Sequence, residues 1–330
     1  MNAAIKVENL VKRYEKIIAV DRISFTIQEG ELFGLLGPNG AGKTTIINIL
    51  ATLLRPTSGY AEVAGISVAG DRDALRRQIG VVFQEPALDV KLTGRENLQF
   101  HAMMYGLARP ERLERIGQVL DLVDLRDKAD LLVEKYSGGM KRRLEIARGF
   151  IQHPKVLFLD EPTLGLDAQT RRHIWDYIRK LNREKQVTII LTTHYLDEAD
   201  YLCDRVAIID KGRIAAMDTP ARLKDTLGGD MVHMEISGAE GPLLDALKNE
   251  DWIKARKVHA GRLSLTMEQG DKRIPELMRA AMLTGTQVIS VNLRKPSLED
   301  VFLHFTGRTI PEEESVHATQ FHFVHGRGRR

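Results

Sequence analysis

Residues 32–36 read Leu-Phe-Gly-Leu-Leu and residues 37–44 read Gly-Pro-Asn-Gly-Ala-Gly-Lys-Thr, an apolar run followed by a glycine-rich turn. From Thr44 onward, Ile46, Ile47, Ile49, Leu50, Leu53 and Leu54 recur at helical spacing, which predicts a helix ending before Pro56. A strand, G-x-x-x-x-G-K-T and a helix in that order make a phosphate cradle. Glycines at 37, 40 and 42 let main-chain N–H groups wrap a polyphosphate at close range. The helix start adds the positive end of its dipole. Pro38, Asn39, Ala41 and Thr45 complete the binding loop, Lys43 puts a point charge on the β- and γ-phosphates, and the Thr44 hydroxyl ligates Mg²⁺. A chance glycine turn is the alternative, and the flanking strand and helix weigh against it.

Val-Leu-Phe-Leu-Asp-Glu at 156–161 is an apolar strand ending in two acids. Asp160 at the strand's carboxyl end can hold the Mg²⁺ shell, and Glu161 can polarise an attacking water. Such an ending is commonplace by itself. Together with the loop at 37–44 it means nucleotide hydrolysis.

The remaining pattern is that of an α/β chain. Ile5 and Val7 alternate, as do Ile23, Phe25 and Ile27 before a turn at Glu29-Gly30. Strand-like pieces return up to Val81-Phe83, and residues 94 to about 151 read as helical throughout. Leu98, Ala102 and Tyr105 are placed on one face, and Leu113, Ile116, Leu120 and Val123 on another. Strands at Val156–Leu159, Val187–Leu191 and Arg205–Ile209 then alternate with a helix carrying Ile174, Ile178 and Leu181 on one face, which predicts a largely parallel sheet. After Leu227-Gly228-Gly229 the texture changes to strand, helix, two strands, helix and strand over 232–293, an order that resembles a ferredoxin-like unit. A last helix is expected at Ser297–Phe305. The expected domains are therefore 1–228, 229–308 and a mobile polar tail at 309–330.

The composition sets limits on function. The 330 residues are 43% hydrophobic and 28% charged, with net charge +3 and one cysteine, Cys203, which rules out an intrachain disulfide. The cysteine reads as a small packed residue. No apolar run reaches the roughly 18 residues needed to span a bilayer, and the N-terminus lacks a signal-peptide core. The basic ending HGRGRR reads as a solvated tail, so no nucleic-acid partner is expected.

Between the loop and the acidic strand lies YSGGMKRRLEIARGF at 136–150, a Ser-Gly-Gly turn opening a helix. It resembles the signature sequence of ATP-binding-cassette (ABC) ATPases, with Tyr136 and Met140 where Leu and Gln are commonest. Lys141-Arg142-Arg143 reads as a solvated helix face that also stabilises the turn. Further elements match that family in order: Tyr14 for the aromatic on adenine, Gln84 for the glutamine loop, Asp167 for the dimer-contact aspartate and His194 for the switch histidine. The stretches ALDVKLTGRENL (87–98), THYLDEADYLCDR (193–205) and KPSLEDVFLHFTGR (295–308) resemble the drug-exporter branch of daunorubicin-resistance type.

The resemblance implies an α/β fold with a P-loop RecA-like core, an antiparallel β subdomain, a helical signature subdomain and a small α+β C-terminal domain. It implies a head-to-tail homodimer with each ATP between one phosphate loop and the partner's Ser137, Gly138 and Gly139. By the same resemblance, Gln84 touches metal, and a separate polytopic membrane permease receives the closure at the cytoplasmic face of the membrane. An importer ATPase or a soluble non-transport ABC ATPase is the alternative. An importer would carry a C-terminal barrel of many short strands, and a soluble type two cassettes or a long coiled coil.

Overall fold

The computed structural model describes residues 2–237, 240–248, 250–259 and 262–307; the tail expected to be mobile at 309–330 lies outside them. A long hairpin of β1 (Ala3–Tyr14) and β2 (Ile17–Gln28) joins β4 (Ser58–Val63) and β5 (Ile66–Ser67) in an antiparallel sheet of order β2-β1-β4-β5. The central sheet holds β3 (Leu32–Leu36), β6 (Ile79–Val82), β7 (Val156–Asp160), β8 (Thr188–Thr193), β9 (Arg205–Asp210) and β10 (Arg213–Asp218). Its order is β10-β9-β3-β8-β7-β6, parallel except for β10 against β9.

Residue alternation along β3 decides which layer lies on which face. Phe33 and Leu35 face a core shared with the antiparallel sheet and α1 (Lys43–Leu50). Leu32 and Leu36 face the other core, with α5 (Gly138–Phe150), α6 (Ala168–Lys185) and α7 (Leu196–Leu202). Gly34 lies between them: a Cβ there would meet Cys203 Sγ at 2.7 Å, so the buried cysteine packs as expected. The helix after the phosphate loop stops at Leu50, short of the expected end, and α2 (Arg72–Arg76) precedes β6.

The block from 94 to 151 is helical in pieces and not throughout. Helix α3 (Gly94–Met104) ends ahead of Gly106, whose φ of 73° leaves the right-handed helical region. Helix α4 (Arg109–Leu122) carries Pro110 in its first turn, where the missing N–H costs nothing. It ends before Asp124 at φ 49°, and two short 3₁₀ turns lead to Ser137. Leu98, Ala102, Ile116, Leu120 and Val123 are buried as the periodicity predicts, but Tyr105 and Leu113 are exposed at the rim. The capping box at Thr93 and Glu96 is complete.

After α8 (Pro220–Asp225) come β11 (Asp230–Ser237), α9 (Gly241–Ala246), β12 (Ile253–His259), β13 (Arg262–Met267), α10 (Gly270–Leu283) and β14 (Gln287–Arg294). The sheet order β12-β13-β11-β14, with every pair antiparallel, is the ferredoxin-like arrangement and not a barrel. Val232, Met234, Leu263 and Leu265 bury one sheet face beneath the two helices. The last helix, α11 (Leu298–Thr306), packs elsewhere. Its Leu298, Val301 and Phe302 enter the same core as Ala199, Leu202 and Leu223 of the first part of the chain. Truncating fully buried Phe302 to Ala is therefore expected to cost about 3–5 kcal/mol, read as a lower denaturant midpoint. Parental stability would remove α11 from that core.

Candidate active site

The phosphate loop is shaped by local backbone demands. Gly42 caps α1 at φ 108°, and a Cβ there would lie 2.4 Å from the Ala19 carbonyl oxygen. At Gly37 a Cβ would lie 2.3 Å from the Ile209 carbonyl, so neither position accepts a side chain. Lys43, Thr44 and Thr45 form the first turn of α1, the helix end whose dipole favours an anion. The ammonium of buried Lys43 donates to the carbonyls of Gly37 (2.7 Å) and Pro38 (3.2 Å) and stands 3.3 Å from Glu161 Oε1.

Strands β7 and β8 bring the acids to this loop. The Thr44 hydroxyl donates to Asp160 Oδ1 at 3.2 Å, and Thr192 Oγ1 donates to the same oxygen. Glu161 has φ 46°, a left-handed conformation that costs a non-glycine residue about 1–2 kcal/mol. Its amide donates to Thr192 Oγ1 at 3.0 Å, and its carboxylate faces Lys43 on one oxygen and His194 Nδ1 (3.0 Å) on the other. Burial alone would push the Glu161 carboxyl up. The His194 hydrogen bond and the Lys43 charge outweigh it and hold the group below its ordinary value. The carboxylate therefore accepts from a protonated Nδ1, which turns Nε2 of the imidazole away; that buried nitrogen has no partner among the described residues.

This balance makes a pH prediction. In His194→Ala, burial is opposed by Lys43 alone, so the Glu161 carboxyl rises. The acid limb of residual hydrolysis should then move to higher pH, measured as turnover against pH. An unmoved limb would count against the His194 bond.

A second group of candidates sits apart from the first. Ser137 caps α5, accepting from Met140 N at 3.2 Å, and Asp167 caps α6, accepting from Thr170 N at 2.9 Å. The two turns are packed tightly, since a Cβ on Gly139 would meet Thr170 Cγ2 at 2.5 Å. Ser137, Gly138 and Asp167 are exposed. Tyr14 is 42% exposed at the tip of the β1–β2 hairpin, the hairpin whose Ala19 abuts Gly42. Gln84, just beyond β6, is exposed, as are Asn39 and Gly40 on the loop, with Ala41 buried.

One expectation is corrected. Arg142 is not on a solvated face: it is 8% exposed, and its guanidinium reaches the carbonyls of Phe83, Asp160, Glu161 and Pro162. Arg142 and Glu145 escaped the sequence reading, as did Glu198, fully buried and accepting from Thr163 Oγ1 and Trp175 Nε1. The one sequence signal for the first pair is opposite charge three residues apart on a helix whose face is otherwise apolar.

A family model described as ABC transporter matches residues 20–164, and one described as the C-terminal domain of DrrA1-3-like ATP-binding proteins matches 219–306. The chain is 40% identical to a daunorubicin resistance ATP-binding protein of Streptomyces coeruleorubidus, over 96% of this chain and 98% of that one. It is 39% identical to a Nod factor export ATP-binding protein of Sinorhizobium fredii, over 94% of this chain and 88% of that one. A solved dimeric ATP-binding cassette in a post-hydrolysis state, bound to ADP and Pi, matches at TM-score 0.58 and 31% identity, covering 65% of this chain and 98% of that one. With a phosphate loop, an acidic strand end, a histidine and a signature turn all in place, the chain belongs to the nucleotide-binding, ATP-hydrolysing subunits of the ABC transporter family.

Proposed function

We propose that this chain is the ATPase subunit of an ABC exporter, working as a head-to-tail homodimer at the cytoplasmic face of the membrane through a separate polytopic permease. Drug, lipid-linked or polysaccharide-type molecules are the cargo classes. The observation that carries this reading is the division of the site into two groups within one chain. Lys43, Thr44, Asp160, Glu161 and His194 converge on one loop, while Ser137, Gly138 and Asp167 form an exposed patch with their own caps and half-buried Gly139 beside it. In this reading a loop that surrounds phosphate from one side is completed by the outward-facing signature turn of a second copy. The likeness to a drug-resistance protein and to an export protein supports export. No described helix is long and apolar enough to cross a membrane, and the reading assigns the cargo path to a separate chain.

In this reading Tyr14 stacks on adenine, and the loop from Gly37 to Thr45 with Lys43 holds the phosphates. Thr44 and Asp160 present a hydroxyl and a carboxylate 3.2 Å apart, a hard-oxygen pair that fits Mg²⁺, with Gln84 as a further donor. The ion, when bound, supplies charge neutralisation at the phosphate oxygens. Glu161 takes the proton of the attacking water. His194 is held by its Nδ1 bond to Glu161, which fixes the imidazole beside the base.

The test is reconstitution in lipid vesicles with a candidate polytopic membrane protein, sought first among the products of neighbouring genes. ATP-dependent cargo movement and a rise in ATPase over the purified chain are expected. Failure to associate with any membrane protein, or import of the cargo, would overturn the exporter assignment.

A further inference from the structure

The guanidinium of Arg142 spends every one of its donors on main-chain carbonyls or on Glu145. Nε donates to Pro162 O at 2.6 Å; one terminal nitrogen donates to Phe83 O (2.8 Å) and Glu145 Oε2 (2.9 Å); the other donates to Asp160 O and Glu161 O, both at 3.0 Å. Glu145, equally buried, uses its second oxygen to accept the amide of Ala87 at 2.9 Å. Three consecutive carbonyls, 160 to 162, are thus gripped at the point where Glu161 takes its left-handed conformation. A strained backbone persists only where its surroundings over-determine it, and a planar fork of five donors is the side chain suited to that task. The same pair holds both ends of segment 83–87, immediately after β6, to the helix that opens with the signature turn.

We infer that Arg142, braced by Glu145, is a positioning residue that sets the main-chain conformation of Glu161 and ties it to the signature helix and to segment 83–87. This rests on the reading of Glu161 as the base. None of Arg142's hydrogen bonds goes to the phosphate loop, so its effect falls on turnover and not on nucleotide binding. Displacing a reacting group by about 1 Å can cost on the order of 10²-fold in rate. Single-turnover ATP hydrolysis by the full chain should therefore fall roughly 30–100-fold in Arg142→Gln, with ATP affinity unchanged within about threefold. Arg142→Lys, which restores a charge and some of the donors, should recover part of the loss.

Glu145→Gln turns an amide N–H against Arg142 while keeping an acceptor for Ala87. It should lower turnover roughly threefold to tenfold, the factor for about one hydrogen bond, and it stands in if the arginine variants do not fold. Because Arg142 acts through Glu161, adding Arg142→Gln to Glu161→Gln should cost little further rate. Parental turnover in folded Arg142→Gln, losses matched by weaker ATP binding or lower Tm, or full additivity in the double variant would overturn the inference. If Glu161→Gln alone hydrolyses ATP normally, it is the base reading that fails. If Glu161→Gln is inactive while Arg142→Gln and Glu145→Gln are parental, only the positioning role fails.

Discussion

A Glu161→Gln chain is expected to bind ATP, to remain dimeric with ATP on a sizing column, and to lose roughly 10²–10⁴-fold in hydrolysis. The amide keeps the size of the carboxyl and one acceptor oxygen, so the loop with its Lys43 ammonium is left largely intact. On the proposed reading of Glu161 as the base, what disappears is the ability to take a proton from water. In the parent the carboxyl stands below its ordinary value because the His194 bond and the Lys43 charge outweigh burial, so it is ionised throughout the neutral range and ready to act. An amide cannot complete that step, and a closed dimer holding unhydrolysed ATP has no chemical event to open it. The measurement is turnover beside nucleotide affinity in the same preparation. Normal hydrolysis would mean that another group is the base; weak ATP binding would mean that Glu161 matters mainly as the counter-ion of Lys43, 3.3 Å away.

The phosphate loop could be read from the sequence because its demands are local. Gly37 and Gly42 are dictated by carbonyls within 2.4 Å of where a Cβ would be, and the strand and helix flanking them declare themselves by apolar spacing. The ferredoxin-like sheet was legible for a similar reason: six short elements in one order leave few ways to pair. The breaks inside 94–151 were not, since apolar spacing runs on across Gly106 and Asp124 while the backbone turns there. Nor was the placement of α11. Its amphipathic pattern announces a buried face without naming what covers it, and the cover is the core around Leu202 and Leu223. Arg142 is the sharpest case. In a run of three cations the one local hint of the buried member is Glu145 three residues on, because its carbonyl partners lie 18 to 59 residues away along the chain.

Placing an aspartate at Leu53 or Met104 is expected to abolish most transport while leaving basal ATP hydrolysis within about twofold of the parent, an uncoupling and not an inactivation. Both side chains are exposed, at 51% and 70%, and both line a cleft between the central-sheet edge at Ile79–Phe83 and the C-terminal end of α3. Its wall is largely apolar, and its one histidine, His101, is pushed down to about 4 by burial and by Arg148, so it stays neutral at physiological pH. An apolar cleft beside segment 83–87 suits an apolar segment of a membrane partner. Although Arg76 and Arg148 also line it, a carboxylate introduced on its exposed apolar wall would lose its water when that segment docks, which is costly. Loss of one interface anchor of about 2 kcal/mol or more corresponds to roughly 30-fold weaker association. Arg95 is a poorer probe, since its guanidinium forms a bidentate pair with Asp130 and Glu96 closes the capping box, so changing either disturbs the helix start itself. The comparison needs vesicles containing the permease, with transport and ATPase read from one sample. Parallel loss of both activities would move the cleft from coupling to folding, and undiminished transport in both variants would place the permease contact elsewhere on the surface.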